Sequence, residues 1–240
     1  MKEFFDLSHD FDENTYHPIG YAHFQNIQTY PSHGCRYAIV TLSLHFGTHI
    51  DAPWHMLERG KRLDEINIAE LIGDALIVDV SDKHGPGKKG AGEIPLEDIQ
   101  LSISRQRHEL HKGDALLIHT GWSSLYRSDP SRYYGSYCTI SRTACEWAIK
   151  TGIRLFGIDA PDVDPPESYQ ARPFKKTNHR LLLESDVYIV ENVGGEVAKL
   201  AQERVRLIPA PLKIGGQYAS GAPIRLLAVR QTWKRRFLSN

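Results

Sequence analysis

The stretch "TLSLHFGTHIDAPWH", Thr41 to His55, sets His45, His49, Asp51 and His55 among small and apolar side chains. Imidazole nitrogen and carboxylate oxygen are common ligands for zinc and related divalent metals, and catalytic sites keep one coordination position open. Read at strand period, His45, Gly47, His49 and Asp51 share one face, while Leu44, Phe46, Thr48 and Ile50 share the other. That alternation predicts a half-buried strand running through Asp51, with His45, His49 and Asp51 projecting to one side. Gly47, lacking a Cβ, would leave room for an ion between the two imidazoles. A helix would also pair His45 with His49, but Asp51 would then point elsewhere and Pro53 would soon end it. A lone buried histidine is usually a satisfied core residue. Two imidazoles and a carboxylate on one face, with His55 just beyond a proline, point to a metal instead.

The rest of the chain must build the frame for these groups. Its 240 residues, 41% of them hydrophobic, suffice for a real core. Lys plus Arg and Asp plus Glu number 29 each, which gives no electrostatic footprint for nucleic acid. The basic run "KRRF", Lys234 to Phe237, reads as a solvated terminus. No window approaches 18 consecutive apolar residues, and the opening "MKEFFDLSHDFDEN" has no apolar signal core; the expectation is a cytoplasmic protein without a membrane span. Cys35, Cys138 and Cys145 show no C-x-x-C spacing and are expected to be reduced thiols.

Short apolar runs at Ala75 to Val80, Ala115 to Thr120 and Ile153 to Asp159 read as buried strands. Between the last two, "SRTACEWAIKTG" offers Ser141 as an N-cap and Gly152 as a C-terminal stop for a helix. "RVRLIPAPLKIG" and "APIRLLAVR" read as two further strands. The fold class is α/β, with no linker or repeat to divide residues 1–240 into more than one compact domain. Gly85, Gly87 and Gly90 in "GPGKKG" spell a dinucleotide fingerprint, but Pro86 sits inside it and "AGEIP" follows in place of a helix, so a surface loop is expected.

The stretch "HFGTHIDAPWH" resembles the His-x-Gly-Thr-His-x-Asp-x-Pro-x-His signature of the cyclase family of metal-dependent hydrolases, which includes bacterial kynurenine formamidases and isatin hydrolases. "FFDLSHDFDENTYHP", "GDALLIHTGW", "GIDAPDVDP", "APLKIGG" and "APIRLLAV" resemble other parts of that family, so nearly the whole chain is covered. The resemblance implies mixed β-sheet layers with helices, in a swivelling β/β/α arrangement. In the formamidases a histidine and a glutamate 12 residues later complete a two-zinc centre, and His179 and Glu191 have that spacing here. Thr177 or Asn178 could cap a short helix starting at His179, and "VYIVE" reads as a strand delivering Glu191 at its end.

By resemblance, His45, His49 and Asp51 hold a first metal and His179 a second, with Asp51 and Glu191 bridging; a single-metal centre is the alternative. Zinc is the expected ion, with manganese a substitute. Such a centre suits hydrolysis of a formamide, amide or lactam, and the resemblance gives His55 the acid/base role, a further ligand being the other possibility. Tyr16, Trp54 and Trp122 are candidates for a slot that takes an aromatic ring, with ordinary core packing as the alternative. His17 stands before Pro18, where the formamidases commonly carry an aromatic, and the polar segments "SDKHGPGKKGAGE" and "SYQARPFKKT" lengthen the chain. Asp159, Asp162 and Asp164 either support the site or form a turn. The resemblance also implies a homo-oligomer, dimer or tetramer. A non-catalytic metal-binding scaffold is the competing class.

Overall fold

The computed structural model describes residues 2–18, 22–169 and 173–231. The terminal "KRRF" lies outside them, as do three residues of the polar segment after Ser168. Twelve strands occur among the described residues: β1 (Lys2–Asp6), β2 (His23–Gln28), β3 (Tyr37–Thr41), β4 (His49–Asp51), β5 (Gly73–Asp79), β6 (Glu93–Ile94), β7 (Ala115–His119), β8 (Thr139–Ile140), β9 (Leu155–Ile158), β10 (Tyr188–Glu191), β11 (Arg204–Pro211) and β12 (Gly221–Gln231).

Eight of them form one mixed sheet in the order β1-β12-β11-β5-β7-β9-β10-β4, and β4 also pairs with β12. The sheet therefore closes on itself in a barrel-like arrangement of seven strands, with β1 paired to the outer side of β12. Neighbours β5, β7, β9 and β10 run parallel; the remaining pairs are antiparallel. Closure depends on the length of β12. Its first residues, Gly221 to Pro223, lie against β4, and Ile224 onward lie against β11.

Buried on both faces, the parallel strands read as continuous apolar runs. Alternate residues serve two cores. Leu76, Val78, Leu116, Ile118, Phe156 and Ile189 pack toward the helices Leu96–Ser104, Arg142–Thr151 and Thr177–Glu184. Ala75, Ile77, Leu117, Leu155, Val190, Leu207 and Leu226 fill the interior of the closed sheet. The helix Arg142–Thr151 starts and stops where its sequence says it should: the Ser141 side chain accepts from the Ala144 amide, and Gly152 takes a left-handed conformation. The glycine loop opens no helix, since its chain passes directly into β6. Among the described residues no helix is long and apolar enough to cross a membrane.

The predicted strand through Thr41 to Asp51 is corrected. Strand β3 ends at Thr41, Leu42 to Thr48 form a turn, and only His49–Asp51 are extended. Gly47 has φ +61°, a backbone conformation open to glycine at little cost. Its missing side chain thus serves the turn and makes no room for an ion. Strand period still holds within β4, where His49 and Asp51 share a face and Ile50 turns into the interior core.

Candidate metal centre

Register brings the distant groups together. In the antiparallel β4–β10 pair, His49 lies opposite Glu191 and Asp51 opposite Ile189. Glu191 is the last residue of β10, so its carboxylate emerges at the carboxyl end of the parallel strands, where α/β sheets bind ligands. His179 arrives from the first turn of the helix Thr177–Glu184. Neither Thr177 nor Asn178 caps that helix. Asp164, from the loop after β9, accepts hydrogen bonds from the Asn178 amide (2.9 Å) and the His179 amide (3.0 Å).

The imidazoles are aimed by their other nitrogens. The Gly47 carbonyl accepts from His49 Nδ1 at 2.8 Å, and Asp164 Oδ2 holds His179 Nδ1 at 2.8 Å. Each ring therefore presents Nε2 to the carboxylates, the arrangement by which a second partner orients a metal-binding histidine. His49 Nε2 is 3.5 Å from Asp51 Oδ1 and 3.4 Å from Glu191 Oε2. His179 Nε2 is 3.3 Å from Asp51 Oδ2 and 3.2 Å from Glu191 Oε1. Asp51 and Glu191 thus turn one oxygen toward His49 and the other toward His179.

These separations fit a metal. Zinc binds nitrogen and carboxylate oxygen at about 2.0–2.2 Å, so neighbouring corners of its tetrahedron lie roughly 3.3–3.5 Å apart. Asp51 Oδ2 is buried and receives no hydrogen bond, which is costly for a carboxylate unless a cation completes it. Charge points the same way. Among the described residues Asp51, Glu191, Asp162 and Asp164 are buried together against one buried ammonium, that of Lys176. His49, Asp51 and Glu191 form one set of donors close enough to share an ion; Asp162, His179 and Glu191 form another, and His45, Asp51 and His55 a third.

Electrostatics follow from burial and this surplus. Burial opposes the charge on Asp51, yet His55, His45 and His179 hold its carboxyl well below the usual range. Glu191 is likewise depressed against its burial, chiefly by His179 and His49. Burial disfavours protonation of His179 and His49, but the surrounding carboxylates raise both above the ordinary imidazole value. Burial and the nearby Glu191 raise Asp162. Lys176 keeps its charge despite burial because Asp162, Glu191 and Asp51 surround it.

His45 stands slightly apart from the expected trio. Its Nδ1 is 2.7 Å from Asp51 Oδ1 and its Nε2 3.0 Å from Ser220 Oγ, so it groups with Asp51 and His55 and does not share a donor set with His49. A Cβ on Gly221 would lie 2.5 Å from the Ile50 carbonyl and 2.8 Å from His45 Cε1, so this end of β12 must be glycine for the ring to sit there. His55, at the end of the short turn Pro53–His55, places its ring centroid 4.1 Å from that of His45 and 5.8 Å from that of His179. Burial pushes it down to about 3, with Asp51 working against that and His45, His179 and Lys176 adding to it.

The four aromatic candidates divide. Trp54, half-buried beside His55, donates its indole N–H to the Gln217 carbonyl at 3.1 Å. His17 is buried against Phe46 and Tyr134, with ring centroids 5.1 and 5.5 Å away, and bonds the His45 backbone. Tyr16 is 38% exposed and meets Tyr134 edge-on. Trp122 takes the core-packing alternative in this structure: it is 1% exposed, and its N–H is satisfied by the His84 carbonyl at 3.0 Å.

Sequence reasoning left open the two acids that finish the centre. Asp164 is both helix cap and ring anchor, and Asp162 binds Lys176 Nζ at 2.7 Å and lies 3.4 Å from His179 Nδ1. Asp159 does other work, accepting from Thr120 and Gly121 and from His119 Nδ1 at 2.9 Å. Lys176 and Ser220 were missed. The one available signal was the Lys-x-x-His spacing at the start of a helix that carries a ligand.

Residues 5–165 match the family model described as "Putative cyclase". The chain is 30% identical over 188 residues to a kynurenine formamidase of Bacillus thuringiensis (strain Al Hakam), covering 78% of this chain and 76% of that one. It is 31% identical over 175 residues to one of Erythrobacter litoralis, covering 73% and 69%. Isatin hydrolase A from Labrenzia aggregata, solved with benzyl benzoate, shares the fold with a TM-score of 0.79 at 23% identity, covering 95% of this chain and 93% of that one. A match spanning most of the barrel strands and the whole histidine stretch, together with relatives aligned over three quarters of the sequence, places this chain in the Cyclase family.

Proposed function

We propose that the chain is a metal-dependent hydrolase of carbonyl C–N bonds, acting on a formamide, amide or lactam. The observation that carries this reading is the shared use of Asp51 and Glu191: each presents one oxygen to His49 and one to His179 at corner-to-corner metal distances, with Asp51 Oδ2 otherwise unpartnered. Kynurenine formamidases among the relatives and isatin hydrolases among the structural neighbours support the bond type. In this reading His49 and Asp51 serve a first ion, and His45, whose nitrogens face Asp51 and Ser220 here, turns one of them to it; His179 serves a second position, and Asp51 and Glu191 both. Zinc suits a donor set of imidazole and carboxylate, and manganese can replace it.

A divalent ion, when bound, supplies Lewis acidity toward a carbonyl oxygen and toward water. The chain supplies the proton handling. Burial reinforces the neutral form that an imidazole already favours at pH 7, so His55 starts as an acceptor. It takes a proton from the attacking water and returns it to the departing nitrogen. Ser220 and Asp51 hold the neighbouring His45 ring, and that ring in turn packs beside His55. Trp54 and Tyr16 are proposed to meet the substrate's apolar part. His17, in place of an aromatic before Pro18, sets the chain apart from the formamidases, and lactam ring opening is the second reading, supported by the isatin hydrolases among the structural neighbours. Three free thiols suit a reducing cytoplasmic setting, and a homo-oligomer is proposed with it.

A panel of N-formyl aromatic amines, lactams and cyclic imides tests the reading on purified, metal-loaded protein. Turnover of at least one class is expected. Retained metal with no turnover of any class would replace the enzyme by a metal-binding scaffold.

A further inference from the structure

Asp51 and Glu191 face two donor positions, one completed by His49 and the other by His179, yet these positions are unlike in one respect. Beside the His49 position the charged groups are carboxylates and imidazoles. The His179 position already has a cation. Lys176 is 7% exposed, its Nζ bonds Asp162 Oδ2 at 2.7 Å, and it lies 3.5 Å from His179 Nε2. That is the same separation from Nε2 as a neighbouring corner of a metal polyhedron, about 3.3–3.5 Å. Lys176 immediately precedes the helix that carries His179, and Asp164 pins the start of that helix through two amides. Asp164 thus holds the backbone between Lys176 and the ring, and the bond to Asp162 holds the ammonium beside it.

We infer that Lys176 is a built-in second cation: its ammonium, bonded to Asp162 and set beside His179 Nε2, supplies the positive charge of the second position, so the chain holds one divalent ion, on the His49 side. The inference rests on the proposed metal centre and narrows it. An ammonium carries one positive charge and can donate three hydrogen bonds, which suits acids that an ion would otherwise ligate. A divalent ion at the same place would meet that positive charge at close range in a low-dielectric interior, where like charges repel strongly. The ammonium cannot act as a Lewis acid, so the two positions divide the work: chemistry beside His49, His45 and His55, and charge balance beside His179.

Elemental analysis after dialysis against zinc chloride tests this without any assay of turnover. The wild type is expected to hold one zinc per chain, Lys176→Arg one, and Lys176→Met two, since the Met side chain keeps the apolar stem and removes the charge. Two ions in the wild type, or one in a folded Lys176→Met protein, would overturn the inference. Should Lys176→Met fail to fold, wild type loaded with manganese decides the matter. An isolated six-line manganese resonance is expected, and the spectrum of an exchange-coupled pair contradicts it. No bound ion at all in the wild type would instead overturn the metal centre itself.

Discussion

His55 is the residue whose substitution separates chemistry from scaffolding. It packs against His45 and shares a donor set with Asp51, so proximity alone would allow it to be a ligand. If it moves protons, His55→Ala keeps the metal content of the wild type while kcat falls by ~10² to 10⁴, with little change in KM, because proton transfer to nitrogen develops only on the way to the transition state. His49→Ala is expected to lose metal and activity together. Loss of metal from His55→Ala to the same extent would make His55 a ligand. A second histidine gives a prediction about stability. His9 stacks on Tyr126, with ring centroids 3.8 Å apart, and its Nε2 is buried without a partner. Burial pushes it down to about 4, against the opposing charges of Asp159 and Asp10. Between that value and 6.5 the unfolded chain binds a proton that the native state does not, so stability falls as pH drops through this window. His9→Phe preserves the stacking and removes the titration. Urea unfolding at pH 7 and pH 5 should show the variant losing roughly 1–2 kcal/mol less than the wild type. Equal losses would refute the assignment.

At the scale of elements, the centre depends on three short pieces: β4, the end of β10, and the first turn of the helix Thr177–Glu184. The last piece is held from outside. Asp164 supplies the cap that Lys176, at the N-cap position, does not provide, and it anchors His179 Nδ1 as well. Asp164→Ala removes the cap and leaves a buried ring nitrogen unsatisfied, a loss of about 2 kcal/mol or more. Asp164→Asn, which retains an acceptor, is expected to recover part of it in the same denaturation experiment. Identical stability of all three proteins would show that the helix needs no cap from this loop. The sequence made the helix Arg142–Thr151 and the strands around it readable because their signals are local: Ser141, Gly152 and unbroken apolar runs. The stretch from Leu42 to Thr48 was misread for an equally physical reason. Alternating polarity is shared by a strand and by a turn whose side chains happen to face two environments, and Gly47 was the only local sign that the backbone bends. Asp164 lies 13 residues before Thr177 in sequence, so capping rules that look at adjacent residues could not find it.

For the whole molecule, closure of the sheet is what turns separated motifs into one centre. The pairing of β4 with both β10 and the start of β12 clamps Asp51 between Ile189 and Gly221. None of that was legible in the sequence, because the contact joins residues near 50 to residues near 190 and 221. What was legible was the histidine stretch, by its residue types, and the spacing of His179 to Glu191, which only the family resemblance singled out. If the gathered carboxylates hold the proposed ion, stability depends on it. A ligand that binds only the native state stabilises it, by about 2.7 kcal/mol when free metal is 100 times its Kd. Thermal unfolding should therefore shift upward with added zinc and downward after chelation. A midpoint indifferent to both would mean that the carboxylate surplus is balanced without metal.

Metal content and hydrolysis followed in one sample through stripping and reloading decide whether the proposed centre of His45, His49, Asp51, His179 and Glu191 hydrolyses a C–N bond with a bound ion. Chelation is expected to remove the ion and the turnover of a formamide or lactam together, and stoichiometric zinc or manganese to restore both. Undiminished turnover by the stripped protein would contradict the proposal.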